Sequence, residues 1–141
     1  MKKVIFFGMI VTLVIVSCAQ EEKSPIEGNW QVVSWERIRG DTLAFNLPGT
    51  ITGSEMKIWS KTHFAFVGRY KSDTIFNDNY GGGTYKLDGN KYEESLSYPS
   101  QTTVRLLLEI KNDTVITSWP VDENWQVDRS NYNIQKLTRL E

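Results

Sequence analysis

Side chains able to do chemistry are dispersed along this 141-residue chain. His63 is the only histidine. It stands beside Lys61-Thr62, with no cysteine or histidine cluster to complete a zinc site, so no metal is expected. The carboxylate pairs Glu93-Glu94 and Asp122-Glu123 are adjacent in sequence. In a strand, neighbours point to opposite faces, so neither pair can share a proton as a catalytic dyad must. Gly81-Gly82-Gly83 lacks the lysine and the following helix of a phosphate cradle and reads as a loop and bulge feeding a strand. No Gly-x-Ser-x-Gly elbow occurs. The chain is therefore expected to be neither an enzyme nor a cofactor carrier.

One acid stands apart. A tight turn at Asp88-Gly89 or Gly89-Asn90 puts Tyr85, Leu87, Tyr92 and Glu94 on one face of a hairpin, whichever pair is central. A carboxylate on so aromatic a face costs several kcal/mol (about 2–7) if buried without a partner. Glu94 is thus expected to pair with an arginine, a tyrosine hydroxyl or trapped water, to lie near the rim, or to anchor a ligand in an apolar interior.

The elements that position it read as strands. Short alternating runs, rich in aromatic and β-branched residues, cover roughly 30–37, 55–60, 63–71, 83–87, 91–97, 103–110, 114–119 and 132–139. No segment has a convincing helical period. Three connections are tight: Lys61-Thr62, Asp88-Gly89 and Lys111-Asn112-Asp113. The others, 38–54, 72–82, 98–102 and 120–131, are longer. In an up-and-down sheet this alternation gathers the short turns at one end and the long loops at the other. The expectation is an all-β, eight-stranded up-and-down antiparallel barrel, closed at one end and open at the other, with a two-sheet sandwich as the alternative. Its inward face is expected to hold Phe64, Phe66 and Tyr70; Val104, Leu106, Leu108 and Ile110; and Val115, Thr117 and Trp119. Phe66, Tyr70, Tyr85, Tyr92, Glu94, Leu106 and Trp119 are the candidate ligand-binding residues. Leu43, Phe45 and Leu47 in the first long loop, with Trp125 in the last, are candidates for a lid or plug.

Gly28-Asn29-Trp30 at the start of the first strand resembles the G-x-W signature of lipocalins and fatty-acid-binding proteins, and Arg139 resembles their closing arginine. That resemblance implies that the arginine packs on the tryptophan. Strand parity independently brings the start of the first strand and the end of the last to the closed end, making Trp30 and Arg139 a structural pair. Thr62-His63-Phe64, Gly81 to Tyr85 and Lys91-Tyr92-Glu93-Glu94 look similar to small lipocalin-like lipoproteins of Bacteroidetes, over most of the chain. This implies an architecture, not a ligand.

The first residues carry an address. Lys2-Lys3, an apolar run from Val4 to Val16 and an abrupt polar change at Ser17 form the anatomy of a signal peptide. The apolar run would span only about 20 Å as a helix, too short for a bilayer. Ile15-Val16-Ser17-Cys18 resembles the lipobox of bacterial lipoproteins, with an ordinary secretory signal as the alternative. Cys18 is the only cysteine, so no internal disulfide is available. The resemblance implies a diacylglycerol thioether and an amide-linked, palmitate-type acyl chain on Cys18, and Ala19 after it fits outer-membrane sorting. The expected organisation is a signal peptide over 1–17, a lipidated tether over 18–27 and a barrel domain over 28–141. Loss of the signal takes two lysines and no acid, moving the formal charge from −1 to −3, with nothing to suggest nucleic acid. The expected function is an envelope lipoprotein, facing the periplasm or the cell surface, that binds a small apolar or amphipathic molecule without catalysis. A protein-interaction module, as an envelope-complex subunit or hydrolase inhibitor using the open-end loops, is the alternative.

Overall fold

Alternation is what turns these segments into a barrel. Residues i and i+2 of a strand share a face, so rows such as Tyr92-x-Glu94 and Leu106-x-Leu108 must all turn toward one side. Both rows are buried. The computed structural model describes residues 23–140, and over these the chain is all-β. It has nine strands: β1 (Gly28–Arg39), β2 (Thr42–Leu47), β3 (Ile51–Trp59), β4 (His63–Ser72), β5 (Ile75–Asp88), β6 (Lys91–Tyr98), β7 (Thr102–Lys111), β8 (Thr114–Trp119) and β9 (Asn131–Arg139). All pairings are antiparallel between sequence neighbours from β3 to β9, and β1 closes the sheet against both β3 and β9. The result is an eight-stranded closed barrel, consistent with a lipocalin-like architecture, with β2 as an added strand.

That added strand corrects the reading of 38–54 as a loop. β1 shares one edge between two partners. Its first residues pair with β3, from Gly28↔Trp59 to Gln31↔Met56. Its second half pairs with β2, from Trp35↔Leu47 to Arg39↔Thr42. β3 meanwhile follows β4 out to Ile51↔Ser72. The pairing of β1 with β9 shifts register between Val32 and Ser34. Such a bulge inverts the parity beyond it, so Trp30 and Val32 face inward before it and Trp35 after it.

The stretch 72–82 is likewise a tight hairpin. β4 and β5 are paired from Ser72↔Ile75 to His63↔Thr84. Asn77-Asp78-Asn79 and three glycines have little intrinsic strand preference, and the ladder with β4 overrides it. The glycines suit close approach: a Cβ on Gly81 would come within 2.7 Å of the Phe66 ring, and one on Gly83 would strike the Ser95 carbonyl. A bulge does lie between Gly82 and Gly83 in the pairing with β6. The two ends therefore differ less than the loop lengths suggested, and residues 120–130 form the long connection that persists.

Aromatic side chains fill the closed end. Trp30, Trp59, Phe64 and Tyr92 are buried with Ile26, Val115 and Leu137. Trp59 packs edge-on to Trp30 at 6.1 Å and donates its indole N–H to the Tyr92 hydroxyl at 2.6 Å. The Trp30 indole N–H donates to the Ile26 carbonyl at 2.8 Å. Over the outer side of Trp30 lies the Arg139 guanidinium, 4.3 Å from the ring centroid, donating to the carbonyls of Glu27 at 2.7 Å and Pro25 at 3.2 Å. This end is sealed by hydrogen-bonded aromatics, and the free interior volume lies above them.

Candidate functional site, a charged cavity in the upper barrel

Strand β3 positions the central groups. Trp59 is inward, so Lys57 and Glu55 on the same face are inward too, at 7% and 4% exposure. Met56 and Ile58 take the outer face, where Ile58 is 41% exposed. The strand is thus inverted in polarity, charges in and aliphatics out.

Lys57 Nζ forms an ion pair with Glu94 Oε1, reaching across from β3 to β6. The ammonium is further surrounded by the rings of Trp59 and Phe64, each 5.1 Å away, and of Phe66 and Tyr92 at 5.7 and 5.8 Å. Glu94 is therefore a paired acid: its ion-pair partner is a lysine, which was not considered from sequence, and the Tyr92 hydroxyl, of a kind that was considered, is a hydrogen-bond neighbour. Burial, with the negative charge of Glu94 beside it, pushes the Tyr92 hydroxyl far above its ordinary range.

Glu55 is held differently. Its Oε2 accepts hydrogen bonds from the Asn79 amide at 2.5 Å and the Tyr70 hydroxyl at 3.2 Å. Burial raises its carboxyl above the usual range, against the lowering effects of Asn79, Lys57 and Tyr70. The Tyr70 hydroxyl is raised in turn, by burial first and then by Glu55.

These groups border a cavity of about 170 Å³. Trp35, Phe66, Leu96, Val104, Leu106 and Trp119 supply its apolar wall, and Glu55, Lys57, Asn79, Glu94 and Gln135 its polar one. Trp35 is fixed at the upper rim by its indole N–H bond to Asn133 Oδ1 at 3.2 Å and by ring contacts with Phe45, Tyr70 and Trp119.

Of the residues singled out from sequence, Phe66, Glu94, Leu106 and Trp119 come together around this cavity. Tyr70 stands behind it as a donor to Glu55. Tyr85 and Tyr92 lie toward the closed end, where the Tyr85 hydroxyl donates to the Ser60 carbonyl at 2.7 Å. They are wall and floor, not lining. Leu43, Phe45 and Leu47 form β2: Leu47 is buried, Phe45 packs edge-on to Trp35 at 5.0 Å, and Leu43 is 48% exposed. Trp125 is no lid here. Its ring stacks outside the barrel near Lys91 and Arg105, each 5.8 Å away, because the loop folds down over β6 and β7. His63 is exposed and bonded to the Thr62 hydroxyl.

Trp35, Glu55, Lys57, Asn79 and Gln135 were missed from sequence. For Lys57 and Glu55 a signal was present, because they keep step with the aromatic Trp59. Among the described residues there is no group of three acids, histidines or cysteines able to hold a metal ion, and no helix long and apolar enough to cross a membrane. The signal segment and Cys18 lie outside the described residues. Comparison with models of known protein families and with curated proteins finds no match.

Proposed function

We propose that this chain is an envelope lipoprotein, held by acyl chains on Cys18, whose barrel binds one small amphipathic molecule without catalysis. The observation that carries the reading is the 170 Å³ cavity, walled by three aromatic rings and bordered by converging polar side chains. Small-molecule sites combine a mostly apolar lining with a few oriented polar groups. The volume also bounds the ligand. A dry protein cavity of about 150 Å³ accommodates benzene, whereas drug-sized ligands need about 300 Å³ or more. A compact molecule, or the compact end of a larger one, is therefore favoured.

Lipid attachment rests on the sequence pattern ending in Cys18. Two or more acyl chains, at about 0.8 kcal/mol per buried methylene, make release from a bilayer negligible. The test is native mass spectrometry of the full lipidated protein released from detergent. A small adduct lost on Phe66→Trp, which fills the cavity, supports the reading. An adduct-free protein whose Trp35 and Trp119 emission ignores a library of compact amphiphiles overturns it.

A second reading, as a protein-interaction module, is favoured by one observation. Val67, Tyr80 and Tyr98 form an exposed apolar row across β4, β5 and β6, with Tyr80 and Tyr98 rings 5.8 Å apart. Cross-linking from Tyr98 in intact envelopes distinguishes the two readings. A stoichiometric protein adduct favours the second.

A further inference from the structure

Three ionisable side chains are buried inside the upper barrel, and their charges do not balance. Lys57 is committed to Glu94. Glu55, only 4% exposed, has two neutral donors and no cation in hydrogen-bond contact. Both of those bonds fall on Oε2, leaving Oε1 without a protein donor among the described residues. With all three ionised, this set carries one net negative charge on the wall of a cavity shared with the indoles of Trp35 and Trp119; Arg37, two positions beyond Trp35 and with a buried, unpartnered Nε, is not among the lining residues.

A second polar group faces the same space. Gln135 is 7% exposed and lines the cavity, and its amide has no hydrogen-bond partner among the described residues. Beside it on β8, at the paired position, the buried Thr117 hydroxyl is also without a partner. Buried polar atoms are normally paired, and each exception calls for water or a ligand.

We propose that the ligand is a small organic amine, bound with its ammonium against Glu55 Oε1 and the indole rings, and with any second polar group toward Gln135. An acid alone would accept a proton, and indoles alone would accept any apolar ring; together they select a cation, since ring quadrupoles and a carboxylate both attract positive charge. An anion would raise the buried charge further. A neutral molecule would leave it uncompensated. The cavity volume limits such an amine to about ten non-hydrogen atoms, on the scale of benzene in a similar space. The inference rests on the ligand-binding reading above and narrows it.

Titration calorimetry on the full lipidated protein in detergent, at about pH 7.5, tests it with three probes of nearly equal shape. Benzylamine is the cation, benzyl alcohol the neutral analogue and benzoate the anion. Benzylamine is expected to bind at least about tenfold more tightly than benzyl alcohol, with benzoate showing no heat. Glu55→Gln should abolish the preference, bringing benzylamine binding to that of benzyl alcohol measured on the same variant. Benzylamine binding by the wild type should also weaken on acidification, as Glu55 takes up a proton beside Lys57, Glu94 and Tyr70. That measurement keeps the test open if the variant does not fold. Equal binding of benzylamine and benzyl alcohol, or preference for benzoate, overturns the amine assignment and leaves the ligand-binding reading standing. Failure of all three probes to bind also overturns the amine assignment, and the ligand-binding reading is then decided by the native mass spectrometry and amphiphile library above.

Discussion

At the scale of residues, the upper barrel concentrates groups that proteins seldom bury. Lys57 and Glu94 are both nearly inaccessible, and each makes the other tolerable. Removing one partner of such a pair costs about 3–5 kcal/mol, because an uncompensated charge stays inside, whereas replacing both can be nearly neutral. Lys57→Met should therefore lose stability in that range, and Lys57→Met with Glu94→Gln should recover most of it. Urea unfolding of the two single variants and the double variant checks this; strictly additive losses would refute the coupling. Glu55 has the opposite character, since burial outweighs the nearby Lys57 charge and its hydrogen bonds and disfavours its ionisation. Its folded carboxyl is raised by burial, so the folded state holds the proton more tightly than the unfolded chain does. Its contribution to stability is complete below the ordinary carboxylate range and is lost as pH rises through the raised value. Glu55→Gln should accordingly stabilise the protein at neutral pH by about 1 kcal/mol, a common gain when an unfavourable group is replaced. The gain should vanish in acid, where the wild-type carboxyl is already neutral. Thermal melts at neutral and acidic pH decide it, and an equal gain at both would refute the linkage.

At the scale of elements, β1 organises the barrel because it serves three partners. Its bulge near Val33 switches parity so that Trp30 and Trp35 both face inward, five positions apart. Its second half recruits β2, which is a packed strand rather than a loose flap. Leu47→Ala should then cost about 2–4 kcal/mol as a core truncation, while Leu43→Ala, on the exposed side of the element, should stay within about 0.5 kcal/mol. Chemical denaturation of the pair tests this, and two equally cheap substitutions would mean that β2 is not packed. At the closed end, Arg139 joins β9 to the turn before β1. Arg139→Ala forfeits the stacking on Trp30 and two charged hydrogen bonds at a half-exposed site, an expected loss of about 1–2 kcal/mol. Gly28→Ala should imitate it, because a Cβ there would meet Arg139 Nη1 at 2.6 Å on a backbone with φ of +130°. Denaturation midpoints of the two single variants and the double variant measure both effects, and full additivity would show that they act separately.

For the whole molecule, the closed end and the attachment point lie close together along the chain. About ten residues separate Cys18 from Gly28, at most roughly 35 Å of extended chain. If Cys18 carries the proposed lipid, this short tether predicts that the closed end faces the bilayer and the mouth of the barrel faces away from it. Cys18→Ser should move the protein from the membrane to the soluble fraction. With Cys18 acylated, a fluorophore on Asp113→Cys at the closed end should be quenched by nitroxide lipid more strongly than one on Ser100→Cys at the other end. Equal or reversed quenching would overturn the orientation.

Much of this architecture was legible in local pattern. Eight strands, three of their hairpin turns and the inward rows of β4 to β8 follow from alternation and turn chemistry, which act between near neighbours in sequence. The lipid-attachment pattern ending in Cys18 is likewise local. Other features were decided by tertiary structure. β3 reads as an ordinary amphipathic strand with its charges in water, yet Trp59 and the pairing of Lys57 with Phe66 turn those charges inward. The β5 segment reads as a loop until β4 supplies its ladder. Gln135, Glu55 and Glu94 lie on β9, β3 and β6, far apart in the chain, and only closure of the barrel brings them to one cavity. Periodicity tells which residues share a face of one strand; the bulges and the closing register determine which faces meet, and with them the volume and charge of the space between.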